Sequence, residues 1–392
     1  MFYPLASSTW DSCELNELQK VIESGKFSMG DKVRQYEQNF AEKFGKKFAV
    51  MTSSGSAANL LAVSSVLHHP DIDILPGDNV IVPAVSWSTT YFPVSQNGLE
   101  LNFIDIDAGT LNINIELIEQ AINERTKAIF VVNLLGNPVD YLKIKKICEK
   151  HNILMWEDNC ESMGASFNKK KAGTFGLFGT FSSFFSHHIC TMEGGMVVTD
   201  DRILYDNMIS MRAHGWVRGL KDDTHLPIEN DPFLQKFRFV LPGYNLRPLE
   251  LEGAVGITQL EKLDNFVRIR RENAELFQKY FKNSDVLDIQ TETGISSWFG
   301  FAMTLKGKLK GKRSQIVKLL ENSGIETRPI VTGNFLNHPV IKKLKHFKSS
   351  TVEFADRIDT NGFFVGNHHY DISLQLEKLV EIISRFDPKK SV

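Results

Sequence analysis

The sequence predicts an α/β fold with a mainly parallel sheet. Up to about residue 250, short apolar runs alternate with amphipathic helical patterns, and this alternation is typical of strand–helix–strand units. A long helical pattern and a shorter mixed α+β region follow it. We therefore expect a large α/β domain over residues 1–250 and a small C-terminal α+β domain over residues 251–392.

The elements of the large domain are predicted from apolar runs bounded by turn residues. The predicted strands are Phe48–Met51, Asn79–Pro83, Leu101–Ile106, Ala128–Asn133, Ile153–Glu157, Thr180–Phe185 and Gly195–Thr199. The predicted helices are Ala57–Leu67, Ile115–Glu124 and Tyr141–His151. The polar, irregular segment Gly215–Leu241 is interpreted as a long surface excursion, either a substrate lid or a subunit arm.

The second half of the chain is predicted to open with a long helix. That helix covers Pro248–Phe281, with a break near Leu263 and Asp264. The further elements are a strand at Trp298–Leu305, a helix at Arg313–Ser323, a strand at Glu326–Ile330 and a helix at Leu374–Phe386.

The composition of the chain argues against several classes of function. The 392 residues include 45 Lys and Arg and 47 Asp and Glu, a formal net charge of -2. This balance argues against a nucleic-acid partner, because no long-range positive field is present. The start of the chain lacks a signal-peptide pattern, and the longest apolar run is too short to cross a bilayer. The four scattered cysteines favour neither a disulfide scaffold nor a metal site. We expect a cytoplasmic enzyme or binding protein without a membrane partner or a metal.

A first group of candidate residues lies between a predicted strand and a helix. Gly55 and Ser56 belong to the run Ser53–Ala58. Backbone N–H groups at a helix N-terminus, together with small hydroxyl side chains, can bind phosphate. The alternative is an ordinary helix cap, which serine also supplies.

Two further candidates follow predicted strands, where open α/β sheets bind ligands. Asp158 comes directly after a buried strand, and a pyridinium N–H would be a suitable partner for its carboxylate. The alternative is an aspartate that caps the next segment. Trp87 follows another strand and could stack on a flat cofactor ring. Taken alone, Trp87 is better explained by core packing.

The last candidates lie in the run Ser182–His188. Ser182 precedes His187 by five residues, so its hydroxyl could hold a phosphate while the imidazole faces a cofactor ring. His188 is the competing base. Paired histidines also occur as surface residues or metal ligands, but no third ligand stands at zinc-site spacing here.

Together these motifs resemble the sugar aminotransferases of the fold-type I pyridoxal phosphate enzymes (DegT/DnrJ/EryC/StrS-like). Their order and spacing agree from about Tyr3 to at least Ile330, and Gly243–Arg247 is similar to that family's glycine-tyrosine-asparagine-x-arginine segment. One position departs from the family pattern. The family has a lysine five residues after the serine, and here that residue is His187. Imidazole cannot form a Schiff base with the cofactor aldehyde.

Histidine at this position resembles a sugar 3-dehydratase subgroup of the family. The similarity extends through Tyr3–Trp10, Pro83–Thr90, Glu157–Gly164, Ser186–His188 and Arg328–Phe335. The resemblance implies a fold-type I aminotransferase fold and pyridoxamine 5'-phosphate, alternating with pyridoxal 5'-phosphate, as cofactor. It also implies loss of the C3 hydroxyl from a GDP-linked 4-keto-6-deoxy-mannose, in biosynthesis of a colitose-type O-antigen sugar. Glutamate would regenerate the amine form.

The resemblance also implies roles for individual residues. The cofactor phosphate would lie on Gly55, Ser56 and Ser182, with Asn245 contributed by the neighbouring subunit of a homodimer with shared active sites. Asp158 would keep the ring nitrogen protonated, Trp87 would cover one face of the ring, and Glu161 would bond near the ring hydroxyl. His187 would move the proton during elimination.

Substrate-binding residues are less well defined by the sequence. Arg218, Arg247 and Arg328 are candidates for the pyrophosphate or the glutamate carboxylate, because guanidinium groups bind both in bidentate fashion. Structural ion pairs explain them equally well. His214 faces either the sugar or the core. Two other functions stay open: a nucleotide-sugar aminotransferase of the same fold, and a catalytically inert sugar-binding relative. The missing lysine argues against the aminotransferase, and the retained cofactor residues argue against the inert protein.

Overall fold

The computed structural model of the protein describes residues 2–385. Its strands are β1 Phe48–Thr52, β2 Asn79–Pro83, β3 Glu100–Ile104, β4 Thr126–Val132, β5 Leu154–Asp158, β6 Ser166–Phe167, β7 Lys170–Lys171, β8 Gly179–Ser182, β9 Gly195–Thr199, β10 Leu287–Ile289, β11 Gly300–Leu305, β12 His346–Lys348 and β13 Gly362–Gly366.

The α-helices surround the sheets. They are α1 Ser12–Ser24, α2 Asp31–Phe44, α3 Gly55–Val66, α4 Ser88–Gln96, α5 Ile118–Ala121, α6 Tyr141–His151, α7 Arg202–Arg212, α8 Pro232–Gln235, α9 Glu250–Phe281, α10 Arg313–Asn322, α11 Glu353–Asn361 and α12 Ser373–Ser384. Short 3-10 helices cover Ile115–Leu117, Leu134–Gly136, Gly307–Leu309, Phe335–Asn337 and Pro339–Lys343.

The main sheet has eight strands in the order β1-β9-β8-β5-β4-β2-β3-β12. Strand β9 pairs antiparallel with both of its neighbours, and every other pairing in this sheet is parallel. The carboxyl ends of the parallel strands therefore meet at one edge, where polar residues that follow them in the sequence converge. This confirms the predicted α/β class with a mainly parallel sheet.

Helix α9 joins the main sheet to the C-terminal part of the chain. Helices α1 and α2 pack against it, and the buried side chains of Val33, Tyr36 and Phe40 form a core with Leu263 and Phe266. The predicted break near Leu263 and Asp264 is wrong: α9 runs uninterrupted, because Leu263 is buried among these apolar side chains.

The C-terminal part forms a second, three-stranded antiparallel sheet in the order β10-β11-β13. The predicted strand Glu326–Ile330 is wrong, because only Arg328 forms an isolated bridge, to Phe364. The division at residue 250 stays a prediction, although β12 pairs with β3 of the main sheet. The last helix ends at Ser384, and the predicted end at Phe386 lies outside the described residues.

Candidate active site

A cavity of about 310 Å³ lies at the carboxyl edge of the main sheet. Segments that follow β1, β2, β4, β5 and β8 form most of its wall, and the C-terminal part of the chain closes it. Eight of the residues predicted from the sequence line it: Gly55, Ser56, Trp87, Asp158, Glu161, Ser182, His187 and Arg328.

One wall of the cavity is the N-terminus of α3. Ser54 caps this helix by accepting a hydrogen bond from the Ala57 N–H at 3.1 Å, so the helix-cap reading holds for Ser54. The next N–H groups, of Gly55 and Ser56, belong to the first turn and have no carbonyl partner within the helix. Ser182, which also lines the cavity, ends β8 beside Gly55. These donors form a cradle for an anion.

Asp158 lies at the end of β5 and is 6% exposed. Its Oδ2 accepts hydrogen bonds from Asn59 Nδ2 at 2.9 Å and from Thr90 Oγ1 at 2.7 Å. Its Oδ1 accepts a longer bond from the Cys160 N–H at 3.2 Å, so Asp158 also caps the next segment. Two side-chain donors hold one carboxylate oxygen, and the other oxygen, with a single longer bond, keeps acceptor capacity in a residue that lines the cavity.

Trp87 stands at the start of α4 and is 55% exposed. The core-packing alternative for this residue is therefore wrong. An indole that lines a cavity with more than half of its surface open offers a face for a flat ligand ring.

Glu161 lies on the same side of the cavity as Asp158. Its Oε2 accepts a hydrogen bond from the Leu135 N–H at 3.0 Å. Burial, reinforced by the Asp158 charge, raises the pKa of Glu161 to about 7. Glu161 can therefore donate a hydrogen bond as well as accept one near neutral pH.

The structure separates the two neighbouring histidines. His187 lines the cavity, and its buried Nδ1 has no hydrogen-bond partner among the described residues. His188 is fully buried, and its Nε2 donates to the Ser297 carbonyl at 3.1 Å. Burial, together with the Arg270 charge, lowers the pKa of His187 to about 4. The imidazole that faces the cavity is therefore neutral at pH 7.

Four predicted residues lie outside the cavity of their own chain: Asn245, His214, Arg218 and Arg247. Asn245 and Arg247 are exposed, and Arg247 Nε donates to Asn245 Oδ1 at 3.0 Å. His214 is half-buried, its N–H donates to the Tyr244 carbonyl and its ring contacts Trp216. Arg218 is exposed at the start of the excursion.

Sequence reasoning missed several residues that form the site. Asn59 and Thr90 hold Asp158, and both lie near motifs that were recognised, so a search for donors to a buried carboxylate could have found Thr90. Phe299 and Glu193 also line the cavity. No local pattern indicates Phe299, because it comes from a distant part of the chain. Within residues 2–385, no group of three or more His, Cys, Asp or Glu side chains could hold a metal ion.

Residues 9–385 match the DegT/DnrJ/EryC1/StrS aminotransferase family. The chain belongs to this family. The mainly parallel sheet agrees with the fold of this family.

Individual DegT/DnrJ/EryC1/StrS relatives are highly similar. The chain is 54% identical over 386 residues to GDP-4-keto-6-deoxy-D-mannose 3-dehydratase of Yersinia pseudotuberculosis, covering 98% of each protein. The solved structure of the E. coli enzyme with bound hydrated PLP is 52% identical with a TM-score of 0.95, over 97% of this chain and 99% of that one. A structure of a 3-dehydratase with a trapped PLP-glutamate geminal diamine gives the same values.

Among the described residues, no helix is long and apolar enough to cross a membrane.

Proposed function

We propose that this protein is a pyridoxamine/pyridoxal phosphate-dependent 3-dehydratase. It removes the C3 hydroxyl of GDP-4-keto-6-deoxy-D-mannose, gives a 3,6-dideoxy-4-keto sugar, and uses glutamate to regenerate the amine form of the cofactor. The observation that carries the proposal is the neutral imidazole of His187 in the cavity, at the position where the resemblance places a lysine in aminotransferases. We place the reaction in the cytoplasm.

The residues around the cavity fit the cofactor. Gly55, Ser56 and Ser182 would hold the phosphate at the α3 N-terminus. The free acceptor capacity of Asp158 matches a ring N–H, and the open face of Trp87 matches the ring itself. The bound cofactor supplies an amine for the sugar ketone and a ring that accepts electrons from the adjacent carbon.

His187 moves the protons of the elimination. Its imidazole is neutral at pH 7 and therefore has a free lone pair that can accept a proton from carbon. Burial makes the resulting imidazolium a strong acid. His187 therefore returns the proton readily to the departing C3 oxygen. A single residue could serve as base and then acid if the carbon next to the cofactor ring, which would lose the proton, and the C3 oxygen of the sugar, which would receive it, were both within reach of the His187 ring.

We assign the candidate arginines to two different substrates, glutamate and the GDP-sugar. Arg328 is exposed at the cavity wall and forms no side-chain ion pair within residues 2–385. We assign it to the glutamate carboxylate. Arg218 and Arg247 lie outside the cavity, and we assign them to the pyrophosphate, with His214 near the sugar.

The functional unit is a homodimer with shared active sites. Asn245 lies outside the cavity of its own chain, which is the arrangement expected of a phosphate ligand contributed to a partner's site. Exposed apolar side chains in the segment that precedes Asn245 support this, including Phe237 at 69% and Phe239 at 55%.

The test is to incubate the protein with GDP-4-keto-6-deoxy-D-mannose, glutamate and pyridoxal phosphate, and to analyse the products by mass spectrometry. We expect a 3-deoxy sugar, 2-oxoglutarate and ammonia. An amino sugar without ammonia would instead identify an aminotransferase. No product, with cofactor bound, would identify an inert relative.

A further inference from the structure

One aromatic ring contacts both histidines of the site. The Phe299 ring lies 5.2 Å from the His187 ring, edge to face, and 5.7 Å from the His188 ring. Phe299 also lines the cavity. The position of His187 therefore depends on a residue that precedes β11, more than one hundred residues away in the sequence.

The backbone of Phe299 is fixed from both sides. Its N–H donates to the Leu135 carbonyl at 3.0 Å, and the Leu135 N–H donates in turn to Glu161. Its carbonyl accepts a hydrogen bond from Arg270 Nη1 at 3.1 Å. Arg270 thus stands at the end of a chain of hydrogen bonds that joins Glu161 to the aromatic wall of His187.

The segment that carries Phe299 packs very closely against the residues that follow β4. Trp298 has a φ of +48°, in the left-handed region. A Cβ at Gly136 would lie 2.4 Å from the Trp298 nitrogen. Non-glycine residues adopt this conformation only when their surroundings enforce it, so the strand entry that carries Phe299 has little freedom to move.

Arg270 is a buried cation without a carboxylate partner. It is 4% exposed, and within residues 2–385 it forms no salt bridge. Its Nη1 donates to the carbonyls of Phe299 and Asn367, and its Nε has no partner. A buried guanidinium is normally paired with an acid because desolvation of a charge is costly. An unpaired guanidinium acts electrostatically on neighbouring titratable groups, because no nearby carboxylate offsets its positive charge.

We propose that Arg270 is a positioning residue: its buried guanidinium holds the Phe299 wall against His187 and directs an uncompensated positive charge toward the loop that carries the two histidines. This inference rests on the proposed function of His187 as the base. Arg270 is not among the residues that line the cavity, so it would act through Phe299 and through its charge.

Of the charged and titratable groups around His187, Arg270 is the one whose charge lowers the pKa of this histidine. On its own loop, His188 is also kept neutral by burial and by Arg270. The cavity contributes Asp158, Glu161, Glu193 and Arg328. Burial is the largest cause of the lowered pKa of His187, and the Arg270 charge is the second. Positive charge near an imidazole disfavours its protonated form.

The experiment is a histidine titration of the full-length protein, without cofactor or substrate. The histidines carry ¹³C at Cε1, and the His187 signal is assigned by its absence in His187→Asn. At pH 5 we expect wild-type His187 to be about one-tenth protonated, from its pKa of about 4. In Arg270→Gln the protonated fraction should rise at least about threefold, because burial remains but the charge is gone.

Two further variants make the result specific. Arg270→Lys keeps the charge, so His187 should titrate as in the wild type. If Arg270→Gln does not fold, Arg270→Met takes its place, because methionine also removes the charge and suits a buried position. Arg271→Gln is the matched control, because Arg271 is the next residue of α9 and also donates to backbone carbonyls, of Ser296 and Gly164. It should leave the His187 titration unchanged.

Three results would overturn the proposal. The protonated fraction of His187 at pH 5 could be unchanged in Arg270→Gln, it could rise in Arg270→Lys, or Arg271→Gln could raise it as much as Arg270→Gln does. None of these depends on turnover. A protein that lacks dehydratase activity but shows the expected titrations would contradict the proposed function and leave the role of Arg270 intact.

Discussion

The backbone of Gly55 lies directly against the side chain of Ser182. A Cβ at Gly55 would come within 2.6 Å of Ser182 Cβ and 3.0 Å of Ser182 Oγ. The N-terminus of α3 and the end of β8 therefore form one surface, and the proposed phosphate ligands are held together by the absence of a side chain at Gly55.

Gly55→Ala is expected to weaken cofactor binding. The added methyl group must displace Ser182 or the first turn of α3, and either movement opens the phosphate cradle. We expect the Kd for pyridoxal phosphate to rise at least about tenfold, a loss of about 1.4 kcal/mol. Fluorescence titration with pyridoxal phosphate measures this Kd. Ser56→Ala, which keeps the backbone N–H groups, should have a smaller effect; an equal or larger effect would contradict the importance of the backbone cradle.

His187→Asn is expected to abolish turnover while the protein still folds and binds cofactor. Loss of a positioned base typically costs about 10²–10⁴-fold in rate, and product formation measures it. His188→Asn is the matched control. It removes the bond to Ser297 and should lower the free energy of unfolding by about 1–3 kcal/mol. The opposite pattern, an active His187→Asn and an inactive but stable His188→Asn, would assign the base to His188.

Arg328→Gln is expected to impair the glutamate half of the cycle. Removal of a guanidinium that pairs with a carboxylate should raise the KM for glutamate about tenfold or more. The KM for the GDP-sugar should change less. Steady-state kinetics with each substrate varied in turn distinguishes a change in the KM for glutamate from a change in the KM for the GDP-sugar. A selective rise in the KM for the GDP-sugar would assign Arg328 to the sugar nucleotide instead.

Glu161→Gln is expected to stabilise the cofactor-free protein at pH 8 but not at pH 4.5. The pKa of Glu161 is raised to about 7 in the folded protein, above about 4.3 in the unfolded chain. Its contribution to stability is therefore complete below about pH 4.3 and is lost as the pH rises through 7.

Glutamine resembles the protonated acid and keeps the acceptor for the Leu135 N–H. We expect a gain of about 1–3 kcal/mol at pH 8 relative to the wild type, measured by urea unfolding at both pH values. Glu252→Gln should show the same gain in stability at pH 8, because burial also raises the pKa of Glu252 to about 7. An equal effect of Glu161→Gln at the two pH values would contradict the raised pKa.

Mixing two inactive variants tests the shared active site. Asn245→Asp places a negative charge against the cofactor phosphate of the partner's site, and His187→Asn removes the base from its own. Heterodimers should then contain one intact site, and random exchange should restore about a quarter of wild-type activity. Each variant alone is the control. No recovery in a mixture shown by differential tagging to contain heterodimers would place Asn245 outside the partner's site.

Much of the fold could be predicted from local patterns. The strands Asn79–Pro83 and Gly195–Thr199 and the helix Tyr141–His151 occur with the predicted bounds. Helices α1, α2 and α7 and the strands β12 and β13 were not predicted. Strand β12 is three residues long and exists through its pairing with β3, so no pattern within its own sequence indicates it.

The sequence by itself determined the fold class, the strand ends that carry the site, and the chemical types gathered there. It could do so because parallel strands end at one edge, so that residues such as Gly55, Asp158 and Ser182 meet whatever the details of packing.

Only the tertiary structure decided which of the paired histidines faces the cavity, that Trp87 is open, and that α9 continues through Leu263. Each of these depends on contacts with residues far away in the chain. His188 turns inward because Ser297 accepts its hydrogen bond, and Arg270 reaches the site only because α9 packs beside it. Such long-range contacts leave no periodic trace in the sequence around the residues that they orient.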